Sequence, residues 1–142
     1  MTFMVQFRVE GIPVRKGRPR FRRNKNFVQT YTDEKTVAWE KKVYAAAAYA
    51  MSSPYPLETP VAVYLYFGIP IPKSHCKKRA KACLDGLEAP SKRPDLDNMA
   101  KAVIDGMNGV IFKDDGQIVS LHMKKVYSSD PGVDILVKEE LL

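Results

Sequence analysis

The chain has 142 residues, with 23 Lys or Arg against 16 Asp or Glu, a net charge of +7 at neutral pH. With 45% apolar residues, 8 Gly, 10 Pro and only 2 Cys, the composition is that of one globular domain and excludes a disordered tail, a collagen-like repeat and a disulfide scaffold. No run of about 18 apolar residues could span a membrane, and MTFMVQFRVE lacks the basic head and apolar block of an export signal, so the expected compartment is the cytoplasm.

Phe3, Val5, Phe7 and Val9 alternate with other residues and predict a half-buried strand. Arg15, Lys16, Arg18, Arg20, Arg22, Arg23 and Lys25 then follow without an acid among them. Gly17 and Pro19 predict a loop here, from which Arg side chains reach outward, and Phe21, Phe27 and Tyr31 interleave rings able to stack on bases or sugars. The bland alternative is a solvated, solubilising loop. Asp33 to Met51 carries Val37, Val43, Tyr44 and Ala47 at helical steps, with Thr32 as the expected N-cap and Ser52-Ser53-Pro54 as the stop. Val61 to Phe67 is dense in β-branched and aromatic residues and predicts a central strand.

Pro70 and Pro72 end that strand, and Ser74 is placed to cap a short helix to Leu84 bearing Lys77, Lys78, Arg79 and Lys81. Cys76 and Cys83 read as small buried apolar residues, because a zinc site built from them and His75 lacks the usual close cysteine pair. Gly86 to Pro94 is loop, with Lys92-Arg93 as a third basic patch. Asp97 to Asn108 predicts a second main helix with Met99, Val103, Ile104 and Met107 on one face, followed by an apolar Val110 to Phe112 and a turn at Lys113 to Gly116. Ile118 to Tyr127 and Val133 to Val137 read as strands joined into a hairpin by residues 128–132. The order implies a single α/β or α+β domain, a mixed sheet with packed helices.

The acids crowd where the bases do not: Asp95, Asp97, Asp105, Asp114 and Asp115 fall between 95 and 115. Asp95 and Asp97 are two apart where an extended segment becomes a helix, so both carboxylates reach one side, and Pro94 stiffens the approach. Lys101 lies one helical turn after Asp97. One carboxylate of the Asp114-Asp115 pair returns to the others if the following strand lies beside the helix. Oxygen donors without a histidine cluster suit Mg²⁺, with Mn²⁺ as a substitute, rather than zinc. Such an ion serves phosphodiester hydrolysis, with Lys101 neutralising charge. Each motif alone is more often a helix cap or a turn; together, with Lys101 in register and a basic surround, they favour chemistry. Asp105 is assigned a structural place, looking away from the first turn.

The segment RPDLDNMAKAVIDGMNGVIFKDDGQIV resembles the signature of the RusA-type Holliday junction resolvases, a bacterial and phage family of endodeoxyribonucleases. GIPVRKGRPRF, YTDEKTVAWE and PKSHCKKRAKA resemble the family's earlier segments, so the likeness runs from about Phe7 to Val126. The resemblance implies a RusA-like homodimer that binds four-way DNA junctions and makes paired nicks with Mg²⁺ in recombination and repair. The family's essential aspartates fall on Asp95, Asp97 and Asp115, and its catalytic lysine on Lys101. Arg15, Lys16, Arg18, Arg20, Lys77, Lys78, Lys92 and Arg93 are the expected phosphate contacts. A nuclease acting more broadly on flaps and forks, or a protein that only holds junctions, are the alternatives; the intact acidic set speaks against the last.

Overall fold

Alternation writes the first strand: Val5 and Val9 are buried while Met4, Gln6 and Glu10 face out along β1 (Met4–Glu10). The computed structural model describes residues 2–17, 20–25, 27–31 and 33–141. The basic segment expected to be loop throughout is loop at 15–17, and Arg18 and Pro19 lie outside the described residues. From Arg20 it pairs as an antiparallel hairpin of β2 (Arg20–Asn24) and β3 (Phe27–Tyr31). Lys25, in the turn between the two strands, takes the left-handed conformation at φ 46°. Phe21, Phe27 and Val28 stand exposed on the hairpin.

Helix α1 (Glu34–Ala50) is capped by Asp33, whose carboxylate accepts the Lys35 N–H at 3.4 Å. The cap is thus one residue later than expected, and Thr32 lies outside the described residues. Thr36, Trp39, Val43 and Ala47 form its buried stripe, whereas Tyr44 is exposed. β4 (Val61–Ile69) is central as expected, with β6 on one side and β5 on the other. α2 (Lys77–Leu84) begins at an N-cap of Cys76 with no side-chain bond, so Ser74 is not its cap. Cys76 is exposed, contrary to the apolar reading, while Cys83 is buried. α3 (Leu96–Met107) closes the helical set, ahead of β5 (Ile118–Tyr127) and β6 (Gly132–Glu139).

The sheet order is β1-β6-β4-β5, with β4 parallel to β5 and antiparallel to β6. β5 and β6 therefore form no hairpin, because β4 lies between them. An almost wholly buried strand such as VAVYLYFGI gains most by pairing on both edges. The connection from Tyr127 to Gly132 has only to step over the end of β4, about 10 Å or two strand spacings. Gly68 makes room for that step: a Cβ there would meet the Ser128 Cβ at 3.0 Å, and the Ser128 N–H bonds the Ile69 carbonyl at 2.8 Å.

One sheet face, with Val63, Leu65, Phe67, Ile135 and Val137, packs on α1 and α3 to form the core. The other face carries Tyr64 stacked on His122 at 4.5 Å between ring centroids, beside Tyr66 and Leu136, and Tyr66 remains 47% exposed. No helix among the described residues is long and apolar enough to cross a membrane.

α1 and α3 touch at Gly106, where a Cβ would lie 2.8 Å from the Val43 side chain and 3.0 Å from the Glu40 carbonyl. Val43 is fully buried and cannot swing aside. Gly106→Ala is expected to destabilise the fold by about 1–3 kcal/mol through overpacking, despite the better helix propensity of Ala. Urea unfolding of the two proteins measures this, and an unchanged midpoint would show that the helices move apart freely.

Candidate active site

Asp95 is the N-cap of α3, in extended conformation at φ −68° and ψ 139°, and its carboxylate makes no capping bond. Asp97 sits in the first turn of the same helix. Both are exposed, and among the described residues neither makes a side-chain hydrogen bond or ion pair. The unsatisfied N–H groups of the first turn and the helix dipole favour negative charge here. The approach is fixed from β5: the Lys125 ammonium donates to the carbonyls of Lys92 at 2.8 Å and Pro94 at 3.0 Å. The Arg93–Pro94 peptide is cis.

The two carboxylates line a cleft of about 830 Å³ together with Arg15, Lys16, Lys35, Arg93 and Asn98. Its opposite wall is the loop after β1. That loop is tied to α3 by the Lys16 N–H to the Asn98 carbonyl at 2.8 Å, and to α1 by the Thr36 hydroxyl to the Arg15 carbonyl at 3.2 Å. Three segments far apart in sequence thus bring cations around an acidic helix start.

A chain of alternating charges runs on from the cleft. Lys101 lies one turn beyond Asp97, and its ammonium is 3.0 Å from Asp105 and 3.5 Å from Asp115. Lys16 reaches the other Asp105 oxygen at 3.1 Å and Glu40 at 2.6 Å. Asp105, read from sequence as merely structural, is the joint between the two lysines, and the Lys101–Asp105 spacing of four was its signal. Glu40, from α1, had no local signal. The hydrogen bond that Lys101 donates to Asp105, aided by the charges of Asp105 and Asp115, raises the Lys101 pKa above its ordinary 10.5. Burial pulls the Lys16 value down, but the hydrogen bonds to Glu40 and Asp105 outweigh it and the net shift is upward.

The Asp114-Asp115 pair divides its work. Asp114 accepts the Gly116 N–H at 3.1 Å and donates its own N–H to Gln117 at 2.8 Å, a reciprocal cap on the short 3-10 turn Asp115–Gln117. Gln117 in turn donates to the carbonyls of Leu57 and Thr59 at 2.8 and 2.9 Å, fastening the turn to the segment before β4. Asp115 is left to face Lys101. Among the described residues, the ligand atoms of Asp95, Asp97 and Asp115 are not drawn together within 4.8 Å; the one set at that spacing is His75, Cys83 and Glu88.

Arg15, Lys77, Lys78, Lys92 and Arg93 are exposed as a phosphate contact requires. Lys16, also a cleft residue, is 27% exposed, with its ammonium paired to Glu40 and Asp105. Arg18 and the Arg20 side chain lie outside the described residues. The donor set at the helix start, two carboxylates that among the described residues have neither a partner nor a nitrogen or sulfur ligand grouped with them, fits Mg²⁺ or Mn²⁺, which takes one or two carboxylates and leaves room for water and phosphate.

The chain is 35% identical to the uncharacterized protein YqaN of Bacillus subtilis (strain 168) over 138 residues, 95% of this chain and 96% of that protein. It also matches the family described as Endodeoxyribonuclease RusA over residues 10–138, a span that holds the cleft, the charge chain and every segment on which the resemblance rested. With nearly its whole length matched, the chain belongs to the RusA family of endodeoxyribonucleases, hydrolases that cut DNA.

Proposed function

We propose that this protein is a metal-dependent, structure-selective endonuclease that resolves Holliday junctions by paired phosphodiester nicks, acting in recombination and repair in the cytoplasm. The observation that carries the reading is the pair of carboxylates, Asp95 and Asp97, without a partner among the described residues, at a helix start inside a cleft rimmed by Arg15, Lys35 and Arg93. A cleft of that kind would repel a phosphate through its acids unless a cation bridged them, and attract the neighbouring phosphates through its rim.

Asp95 and Asp97 would hold Mg²⁺, or Mn²⁺ in its place, with Asp115 as a further ligand. When bound, the ion supplies an activated water and offsets phosphate charge during in-line displacement. The chain's own groups do the rest. Lys101, kept charged by Asp105 and Asp115, offers its ammonium to the charge that grows on phosphate oxygens. Lys125 keeps the Pro94 approach in place so that the Asp95 carboxylate stays aimed at the cleft. Arg15 and Arg93 position the phosphates beside the cut, and Arg18, Arg20, Lys77, Lys78 and Lys92 extend the grip along the arms.

A four-way junction presents two equivalent strands, so a two-fold dimer gives each strand its own cleft. The open sheet face with Tyr64, Tyr66 and Leu136 supports a homodimer by offering apolar surface for a second copy.

Labelled four-way, three-way and linear duplexes, each incubated with Mg²⁺ or with EDTA, test this reading. Paired nicks in the four-way substrate alone, and only with Mg²⁺, are expected. Equal cleavage of all three would replace the junction resolvase with a general branched-DNA nuclease, and cleavage in EDTA would remove the metal from the reaction.

A further inference from the structure

A second group of ligand-type side chains lies outside the aspartate cleft. The Cys83 sulfur is 3.7 Å from His75 Nδ1 and 3.5 Å from Glu88 Oε2. The ligand atoms of all three residues lie within 4.8 Å of one another. Local structure brings them there: His75 is set in a turn by its N–H to the Pro72 carbonyl at 3.1 Å. After α2, Gly86 at φ 79° reverses the chain, and the Leu87 N–H returns to the Ala82 carbonyl at 2.9 Å, which folds Glu88 back over Cys83. Arg79 then grips both Glu88 oxygens, at 3.1 and 2.8 Å, and fixes the carboxylate's orientation.

We propose that His75, Cys83 and Glu88 form a mononuclear Zn²⁺ site, with solvent in the fourth position, that fastens the basic helix α2 to the domain. The spacing is that of a tetrahedral ion. Bonds of about 2.3 Å to sulfur and 2.0–2.2 Å to nitrogen and oxygen give ligand-to-ligand edges of about 3.5–3.7 Å, which both measured contacts already meet. The His75 and Glu88 ligand atoms lie within 4.8 Å of each other, so this third edge is the one that adjusts on binding. A thiolate, an imidazole and a carboxylate are a borderline set, suited to Zn²⁺ and unsuited to Mg²⁺. Arg79 plays the part of the outer group that orients a ligating carboxylate. On binding, the thiol hydrogen that Cys83 shares with Glu88 passes to solvent as a proton.

The helix itself supplies an independent reason for such a fastening. α2 has eight residues, four of them cationic (Lys77, Lys78, Arg79, Lys81), and Cys76 provides no side-chain cap. So short a helix with repelling charges is marginal without tertiary anchoring. Its one buried side chain is Cys83, which stands apart from the hydrophobic core cluster. The polar group around Cys83 is therefore what α2 rests on, and an ion there turns a weak anchor into a strong one.

The test uses the full chain, freed of metal under reducing conditions and without DNA, so that its result is independent of nuclease activity. Titration with Co²⁺ is expected to give one equivalent of binding, with a thiolate-to-cobalt charge-transfer band and the visible bands of a tetrahedral ion. Zn²⁺ at about 100 times its Kd is expected to raise Tm by about 10 °C. His75→Ala and Glu88→Gln, which alter half-buried side chains, should each weaken Zn²⁺ binding about 100-fold or more, with only a small fall in the Tm of the unloaded proteins, since Glu88 also pairs with Arg79. The Asp97→Asn protein should keep the site unchanged. Absence of the charge-transfer band, or unchanged Zn²⁺ affinity in both the His75 and Glu88 variants, would overturn the proposal.

Discussion

Asp97→Asn is expected to leave folding and junction binding intact while lowering the single-turnover cleavage rate by about 10³-fold, equivalent to about 4 kcal/mol of barrier. The side chain is exposed and, among the described residues, bonds to nothing. An isosteric amide therefore breaks no contact and costs the fold only the charge–dipole term at the helix start, about 0.3–1 kcal/mol. What it removes is one of the three anionic donors proposed for the ion, and an amide oxygen holds a hard divalent ion far more weakly than a carboxylate does. The same substitution also takes one negative charge out of a cleft meant for phosphates. Junction binding in EDTA should accordingly tighten a few-fold rather than weaken. Asp95→Asn should behave alike, since the Asp95 carboxylate makes no cap bond whose loss would confuse the result. Gel-shift titration in EDTA beside cleavage in Mg²⁺ measures both quantities. Parental cleavage by the Asp97 variant would remove the metal site from the mechanism.

Much of this site is visible in the sequence because its elements are local. Two aspartates with one residue between, preceded by Pro94 and followed by a helical pattern, place both carboxylates at a helix start, and the structure puts them there. The central position of β4 was legible for a related reason: a strand apolar at nearly every residue is favoured between two neighbours, and β6 and β5 flank it. The partners of strands are not local, and here the reading failed. Two strand-like segments joined by a Ser-Ser-Asp-Pro-Gly turn describe β5 and β6 correctly as strands but cannot reveal that β4 is inserted between them. The same limit hid Glu40 and the inward turn of Lys16, whose partners lie on other elements. Asp105 was missed for a different reason. Its spacing was judged against Asp97, two turns away, when its neighbour one turn back is Lys101. Cys83 was rightly read as buried, yet burial alone does not name neighbours, and it takes the reversal at Gly86 to bring Glu88 to its sulfur.

Lys101→Met is expected to lower the cleavage rate about 10²- to 10³-fold with a small loss of stability, and its partner Asp105 decides what that loss means. The Lys101 ammonium sits between Asp105 and Asp115 and is 52% exposed, so solvent screening limits the stability carried by these pairs to about 0–1 kcal/mol. Its charge persists at any working pH. The folded-state pKa is raised, so the stabilisation is full below the ordinary lysine value of 10.5 and is lost only as pH climbs through the higher folded value. No limb of the pH–rate profile between 6 and 9 should therefore belong to Lys101. Two roles remain for a permanent cation here: balancing two acids, or meeting the charge that develops on a phosphate. The Lys101→Met, Asp105→Asn double variant separates them. Removing one acid along with the lysine relieves the uncompensated charge, so Tm should return part of the way to the parent value, short of it by what the Lys16–Asp105 pair carries. If the ammonium serves the transition state, the cleavage rate should stay as low as in the single variant, because neutralising Asp105 puts no cation near the phosphate. Recovery of cleavage together with Tm would reduce Lys101 to an electrostatic support of the acidic turn and leave Asp95 and Asp97 to carry the chemistry with their ion.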